Sequence, residues 1–333
     1  MPDPSKPWLF FMIITGPIAS QCGKLSHRPC DNLPHDRRAS FAVRSLIESL
    51  RDLFPEVKHM IDISRRQALM MALTASYAAR AGGASPQEHP HKMPVVKGVN
   101  WMGNEQIAML MYPAMTVMDL IGPHSMLGAL MGAKVYLVAK TLDPVTSDAG
   151  VMIVPNATLE TCPRDLTVLF TPGGAAGTLA AAKDPEILAF MADRGSRAKY
   201  ITSVCSGSLI LGAAGLLKGY KATSHWSVRH VLSGFGAIPV DARVVHDRNR
   251  VTGAGVTAGL DFGLSMVAEL RGRTYAECCQ LMGEYNPDPP FHAGSTKTAP
   301  AEVKTALTEM LSGFVKQSED LAANWKKTGS SPS

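Results

Sequence analysis

Tyr200-Ile-Thr-Ser-Val-Cys-Ser-Gly-Ser-Leu-Ile-Leu-Gly-Ala-Ala-Gly215 begins as an apolar, β-branched run, ends that run at Cys205, and continues as small residues that open an apolar-periodic segment. The pattern predicts a strand, a tight turn and a helix. In an α/β protein this junction lifts the turn side chain above the carboxyl edge of the sheet. There it sits beside N–H groups of a helix N-terminus, which favour negative charge. Cys205 is thus a candidate thiolate nucleophile. A free cysteine also packs well as a small buried hydrophobe. Ser206, Gly207 and Ser208 tip the reading toward chemistry, because they permit a sharp turn and a close ligand approach that an ordinary strand end does not need.

Outward from this turn, strand and helix patterns alternate. Apolar strands are expected at 106–111, 134–139 and 166–170, and helices at 117–130 and 184–197, the latter with Pro185 in its first turn. Beyond the turn, 243–246 and 250–252 read as a short hairpin around 247–249, followed by helices at 257–270 and 301–316. Strands that are apolar throughout are buried on both faces. The fold class is therefore α/β, a doubly wound, mostly parallel sheet that binds ligands outside the carboxyl ends of its strands.

The length of 333 residues and a hydrophobic content of 46% supply one sizeable core plus extra segments. The formal net charge of +5 is concentrated at the N-terminus: residues 1–84 hold 11 Lys+Arg against 7 Asp+Glu, and the remainder 22 against 21. The main domain is nearly neutral, and its charge offers no argument for nucleic-acid binding. Cys22, Cys30, Cys162, Cys205, Cys278 and Cys279 form no CxxC pair and no zinc-ligand spacing with histidine, so neither a metal nor a disulfide framework is expected. Cys278 and Cys279 lie in an apolar-periodic stretch that suits core packing.

The first hundred residues show no sustained alternation. Within them Ser64-Arg-Arg-Gln-Ala-Leu69, an apolar stretch to Ala79 and small residues through Ala84 outline a twin-arginine export signal, which implies an exported protein if it functions and a cytoplasmic one otherwise. The expected organisation is an N-terminal extension at 1–59 with Met60 as an alternative start, the signal at 60–84, and a linker at 85–98. A catalytic domain at 99–295 and a C-terminal helix and tail at 296–333 complete it. The apolar stretch at 8–18 is too short to span a bilayer, so no membrane helix is expected in the mature protein.

Two further segments converge on the carboxyl edge. Phe170-Thr-Pro-Gly-Gly-Ala-Ala-Gly177 follows a buried strand, so Gly173 and Gly174 can bring N–H groups close to a reacting oxyanion. Asp119 lies between Met118 and Leu120 shortly after the first strand, where desolvation raises a carboxyl pKa toward values useful for proton transfer. An aspartate near a helix start also caps N–H groups, and the sequence leaves both roles open.

Six ordered motifs then carry a resemblance: Asp119-Leu-Ile-Gly-Pro123, Thr171-Pro-Gly-Gly174, Val204-Cys-Ser-Gly-Ser-Leu-Ile-Leu-Gly-Ala-Ala-Gly-Leu-Leu217, Ala222-Thr-Ser-His-Trp226, Gly253-Ala-Gly-Val-Thr-Ala-Gly-Leu-Asp261 and Pro289-Pro-Phe-His-Ala-Gly294. Together they resemble the isonitrile hydratases of the PfpI-like, class I glutamine-amidotransferase-like superfamily. The resemblance implies a flavodoxin-like homodimer that hydrates an isonitrile to an N-substituted formamide without metal or organic cofactor. It also implies Cys205 as nucleophile and Asp119 as acid and base. The family's third implicated residue, a threonine after the cysteine, is Ser206 here: the hydroxyl is kept to bond substrate or Asp119, and the β-branch is lost. His225 falls in the family's Thr/Ser-His-Trp context and reads as structural or pocket-lining. Peptidase-like relatives carry histidine directly after the cysteine, where serine stands here, so proteolysis is not expected. The other classes carried by this superfamily are glyoxalases or deglycases, stress chaperones and the ligand-sensing domains of transcription regulators. The chain ends at Ser333, which leaves no room for a regulator's DNA-binding region as read from the sequence.

Overall fold

The computed structural model describes residues 93–328. The expected N-terminal extension, the twin-arginine stretch and most of the linker lie outside the described residues. The chain from Gln106 onward runs β1 (Gln106–Leu110), α1 (Val117–Leu127), β2 (Lys134–Ala139), β3 (Val145–Thr146), β4 (Met152–Ile153), β5 (Ala157–Thr158), β6 (Val168–Thr171), α2 (Ala175–Ala181), α3 (Pro185–Gly195), β7 (Tyr200–Val204) and α4 (Gly207–Ala213). It continues with β8 (Lys221–Ala222), a 3-10 turn (Arg229–Phe235), β9 (Ile238–Pro239), β10 (Val244–Asp247), β11 (Arg250–Gly253), α5 (Ala258–Arg271), α6 (Arg273–Met282), α7 (Ala301–Met310) and α8 (Ser312–Thr328).

Seven strands form one sheet in the order β10-β11-β7-β6-β1-β2-β5. Every neighbouring pair is parallel except the β10–β11 hairpin. β6 and β7 are buried along their whole length, as uniformly apolar central strands should be. Chain direction across the sheet reverses at β1: the crossover through α1 leads outward to β2, whereas β6, β7 and β11 follow on the other side. Right-handed crossovers then place α1 and α3 on opposite faces. This is the flavodoxin-like order, and its switch point lies between β1 and β6.

Local chemistry explains the element ends. Asp184 Oδ1 accepts the N–H groups of Glu186 and Ile187, and Pro185 opens α3 where its missing N–H costs nothing. The helix expected at 117–130 stops at Leu127, and the one expected at 301–316 is two helices separated at Leu311. Apolar periodicity continues across that break, but Ser312 donates to the Glu309 carbonyl and Gly313 follows, a pair that favours a turn over an unbroken helix. The second of these helices is no free tail. Trp325 Nε1 donates to the Ala213 carbonyl at 3.0 Å, and its ring lies 5.6 Å from that of Phe235.

On the face that carries α1, two helices approach closely because glycine leaves room. A Cβ on Gly263 of α5 would stand 2.7 Å from Met126 Cβ of α1. Beneath that contact Phe262 packs 5.6 Å from Phe170 of the central strand. Arg271 at the end of α5 pairs with both oxygens of Glu105 at 2.6 Å, which locks the helix to the entry of β1. Gly263→Leu should therefore lower unfolding free energy by about 1–3 kcal/mol in guanidinium titration through overpacking against α1. Gly313→Ala, with open space around it, should leave stability unchanged or slightly raised. Equal effects of the two substitutions would show that the α1–α5 approach is not tight.

Candidate active site

Three neighbouring strands deliver the site. Asp119 lies in the first turn of α1 after β1, Gly173 and Gly174 follow β6, and Cys205 follows β7. All stand at the carboxyl edge beside the switch point, where a doubly wound sheet opens its crevice.

Cys205 has φ +57°, a left-handed conformation that costs a β-carbon-bearing residue roughly 1–3 kcal/mol. The surroundings impose it. Its N–H donates to the carbonyls of Ala254 at 2.7 Å and Gly253 at 3.1 Å, and its own carbonyl accepts from Ser224 Oγ at 3.0 Å. Gly207 completes the turn by close approach: a Cβ there would stand 2.5 Å from the carbonyl oxygens of Thr171 and Pro172. The strand–turn–helix reading of the sequence is thus realised, with the N–H groups of Ser206 and Val256 directed at the sulfur.

Asp119 is completely buried, and its Oδ2 accepts the Gly173 N–H at 3.1 Å. It does not cap its own helix, whose N-cap is Thr116. The carboxyl lies beside the elbow, and each of the two groups shifts the titration of the other; among the described residues Asp119 Oδ1 has no hydrogen-bond partner. Burial pushes the carboxyl up to about 7, against the opposing pull of the thiol and the Gly173 N–H. Burial first, and then the adjacent carboxylate, hold the Cys205 thiol well above its ordinary range, although the two N–H groups oppose them. The ready thiolate expected from a helix N-terminus is therefore corrected. In so dry a site the thiol and carboxyl cannot both be ionised: the thiol keeps its proton near neutrality, and the carboxyl releases its own at about 7.

The glycine loop differs from expectation in the same way. The Gly173 N–H is engaged by Asp119, and the Gly174 N–H donates to Ser206 Oγ at 3.1 Å, so both shape the site instead of standing free for an oxyanion. Gly173 is needed for closeness, because a Cβ there would lie 2.6 Å from Ser206 N and 2.8 Å from Asp119 Oδ2. Ser206 does not bond Asp119. Its hydroxyl pairs with Thr178 Oγ1 at 3.0 Å, Thr178 pairs with Tyr112 OH at 3.1 Å, and Tyr112 donates to the Pro172 carbonyl at 2.6 Å. Thr178 and Tyr112 were not singled out in the sequence. The one signal for them is a polar Thr178 in an otherwise small, apolar helix start.

His225 is brought near the site but not onto the sulfur. Its Nδ1 pairs with Ser227 Oγ at 2.8 Å, and burial, helped by Arg229, lowers its pKa. It lines a cavity of about 470 Å³ together with Arg229, Val256 and Lys297. Among the described residues, no group of three or more His, Cys, Asp or Glu side chains is placed to hold a metal ion, and Cys162, Cys205, Cys278 and Cys279 are all free thiols.

A flavodoxin-like sheet with a strained cysteine elbow and a buried carboxyl beside it defines the class: α/β proteins that hold a cysteine at the carboxyl edge of the sheet. Residues 105–269 match the model of the DJ-1/PfpI family. Isonitrile hydratase of Pseudomonas putida is 48% identical over 198 residues, which span 60% of this chain and 86% of that protein. A deglycase of Thermococcus kodakarensis is 32% identical over 122 residues, 36% of this chain and 73% of the deglycase. The crystal structure of a THiJ/PfpI family protein from Pseudomonas syringae is 75% identical, superimposes with a TM-score of 0.69, and covers 70% of this chain and 98% of its own. The chain belongs to the DJ-1/PfpI family.

The raised carboxyl has a thermodynamic signature. Folded Asp119 keeps its proton up to about 7, whereas an unfolded aspartate releases it near about 4. The native state binds more protons across that interval, so this group's stabilising contribution is full below about 4 and is lost as pH rises through about 7. Unfolding free energy measured across the interval should fall less steeply in Asp119→Asn than in the wild type. Parallel curves would show that Asp119 is already ionised at low pH in the folded protein.

Proposed function

We propose that the protein hydrates isonitriles, R–N≡C, to N-substituted formamides, with Cys205 as nucleophile and Asp119 as acid and base. The observation that carries this reading is a fully buried carboxyl, its pKa raised to about 7, set against the cysteine elbow across Gly173, where a Cβ would lie 2.8 Å from Asp119 Oδ2 and 2.6 Å from Ser206 N. An isonitrile carbon accepts a nucleophile as it accepts a proton, so the reaction needs both groups within reach of one atom. The similarity to the Pseudomonas putida isonitrile hydratase over most of that protein supports the same reading.

In the proposed sequence, the thiol proton moves to Asp119, leaving a thiolate and a carboxylic acid. Asp119 protonates the terminal carbon while the sulfur adds to it, giving a thioimidate, R–N=CH–S–Cys205, and a carboxylate. Water then adds to that carbon. The Asp119 carboxylate takes the water proton and passes it to nitrogen, forming R–NH–CH(OH)–S–Cys205. Collapse breaks the carbon–sulfur bond, the hydroxyl proton returns to sulfur, and R–NH–CHO leaves. The sum is R–N≡C plus one water. Ser206, through Gly174 and Thr178, holds the glycine loop against the elbow and acts as a positioning residue.

Two further elements belong to this proposal. The protein acts as a homodimer, which sedimentation of the purified chain tests. It is exported through the twin-arginine stretch at 64–84, for which recovery only from cytosolic fractions at full unprocessed mass is the contrary result.

Cyclohexyl isonitrile should give the formamide with the wild-type protein. Cys205→Ala and Asp119→Asn should each lose at least about a hundredfold in rate, the usual minimum for removing a nucleophile or an acid–base group. A folded wild-type protein that leaves isonitriles untouched and turns over methylglyoxal would place it instead with activities like that of the deglycase relative.

A further inference from the structure

We propose that the cavity beside Cys205 receives a carboxylate carried at the far end of the substrate, so that the preferred isonitriles are those whose R group ends in an acid group; this rests on the isonitrile hydration proposed above. The cavity, about 470 Å³, is built from four chain segments, 225–229, 241–243, 254–257 and 294–297. One wall is the turn that holds the nucleophile. Its Ala254 carbonyl accepts the Cys205 N–H at 2.7 Å, and its Val256 N–H is directed at the sulfur. Cys205 is not itself a lining residue, but Ala254 and Val256 belong both to the cavity wall and to the turn that holds the cysteine, and the proposal places the R group of an adduct in this space. The volume is far greater than an isonitrile carbon and nitrogen require, so it is the R group that fills it.

The charge on the walls selects the R group. Asp241 is the one carboxylate among the lining residues, and it is shared by two cations, Arg229 at 3.0 Å and Lys297 at 3.1 Å. Arg243 on the same wall is already matched by Asp261 from outside the lining. His225, with its pKa lowered by burial, adds no charge near neutrality. Among the described residues lining the cavity, one positive charge is left without a counter-ion. A substrate carboxylate supplies it, whereas a neutral R group leaves the imbalance in place. Lys297 is 75% exposed and Asp241 52% exposed, so the gain is that of a solvent-screened pair, about fivefold in affinity.

The test compares a series of ω-isocyanoalkanoates of increasing chain length with their own methyl esters on the full chain, with cyclohexyl isonitrile alongside. The readout is the ratio of kcat/KM for acid over ester within each variant, which is independent of any general change in activity. In the wild type this ratio should reach about fivefold at the chain length that spans the cavity and shrink at high salt. Lys297→Gln, which leaves Arg229 and Asp241 as a neutral pair, should bring it to about one. Asp241→Asn, which frees both cations, should raise it further. Both side chains are solvent-exposed, so neither variant threatens folding. Turnover of cyclohexyl isonitrile and the esters with an acid-to-ester ratio of one or less at every length overturns the proposal, as does a ratio that Lys297→Gln leaves unchanged. Failure to turn over any isonitrile overturns the hydration reading and this proposal with it.

Discussion

A thiol and a carboxyl confined to one dry space between adjacent strand ends set the terms for everything around them. Neither group is stable there as an isolated ion, because burial removes the water that would solvate the charge. Each is tolerable there in its protonated form, and the carboxyl ionises only as pH rises through about 7. The glycine loop, the elbow and the first turn of α1 are the means of keeping the pair together: Gly173 admits the Asp119 carboxylate to its N–H, and Gly207 admits the elbow to the end of β6. Gly263 then lets α5 press against the helix that carries Asp119. A shift of any of these backbones would separate the two groups and leave one buried polar group without its partner.

The central sheet was legible in the sequence because its strands are long enough and uniform enough to show burial on both faces. β2 ends where its pattern ends, and the hairpin of β10 and β11 shows as two short runs around polar residues. The two-residue strands β3, β4, β5, β8 and β9 left no trace, since two residues carry no period. α2 was read as part of a glycine loop because its composition is small and turn-like. The break at Leu311 was masked by apolar periodicity that runs through it.

The reacting pair was legible for a different reason: Cys205 and Asp119 are chemically conspicuous residues set among apolar or small neighbours. What they do to each other was not, because they are 86 residues apart in sequence and their approach depends on how β1 lies beside β6 and β7. The same holds for the hydroxyl chain from Ser206 through Thr178 to Tyr112. Serine, threonine and tyrosine are common, and only the folded backbone shows that these three form a line. Ser206 thus braces a loop and, of the two partners the sequence offered it, does not bond Asp119.

The left-handed backbone at Cys205 has a bearing on how this chain can change over generations. Glycine would occupy that conformation without strain, and asparagine with less strain than cysteine. A lineage that no longer used the thiol would be free to gain stability by such a replacement, and mutation would supply it readily. Cysteine at the elbow is therefore a residue that the backbone conformation alone disfavours.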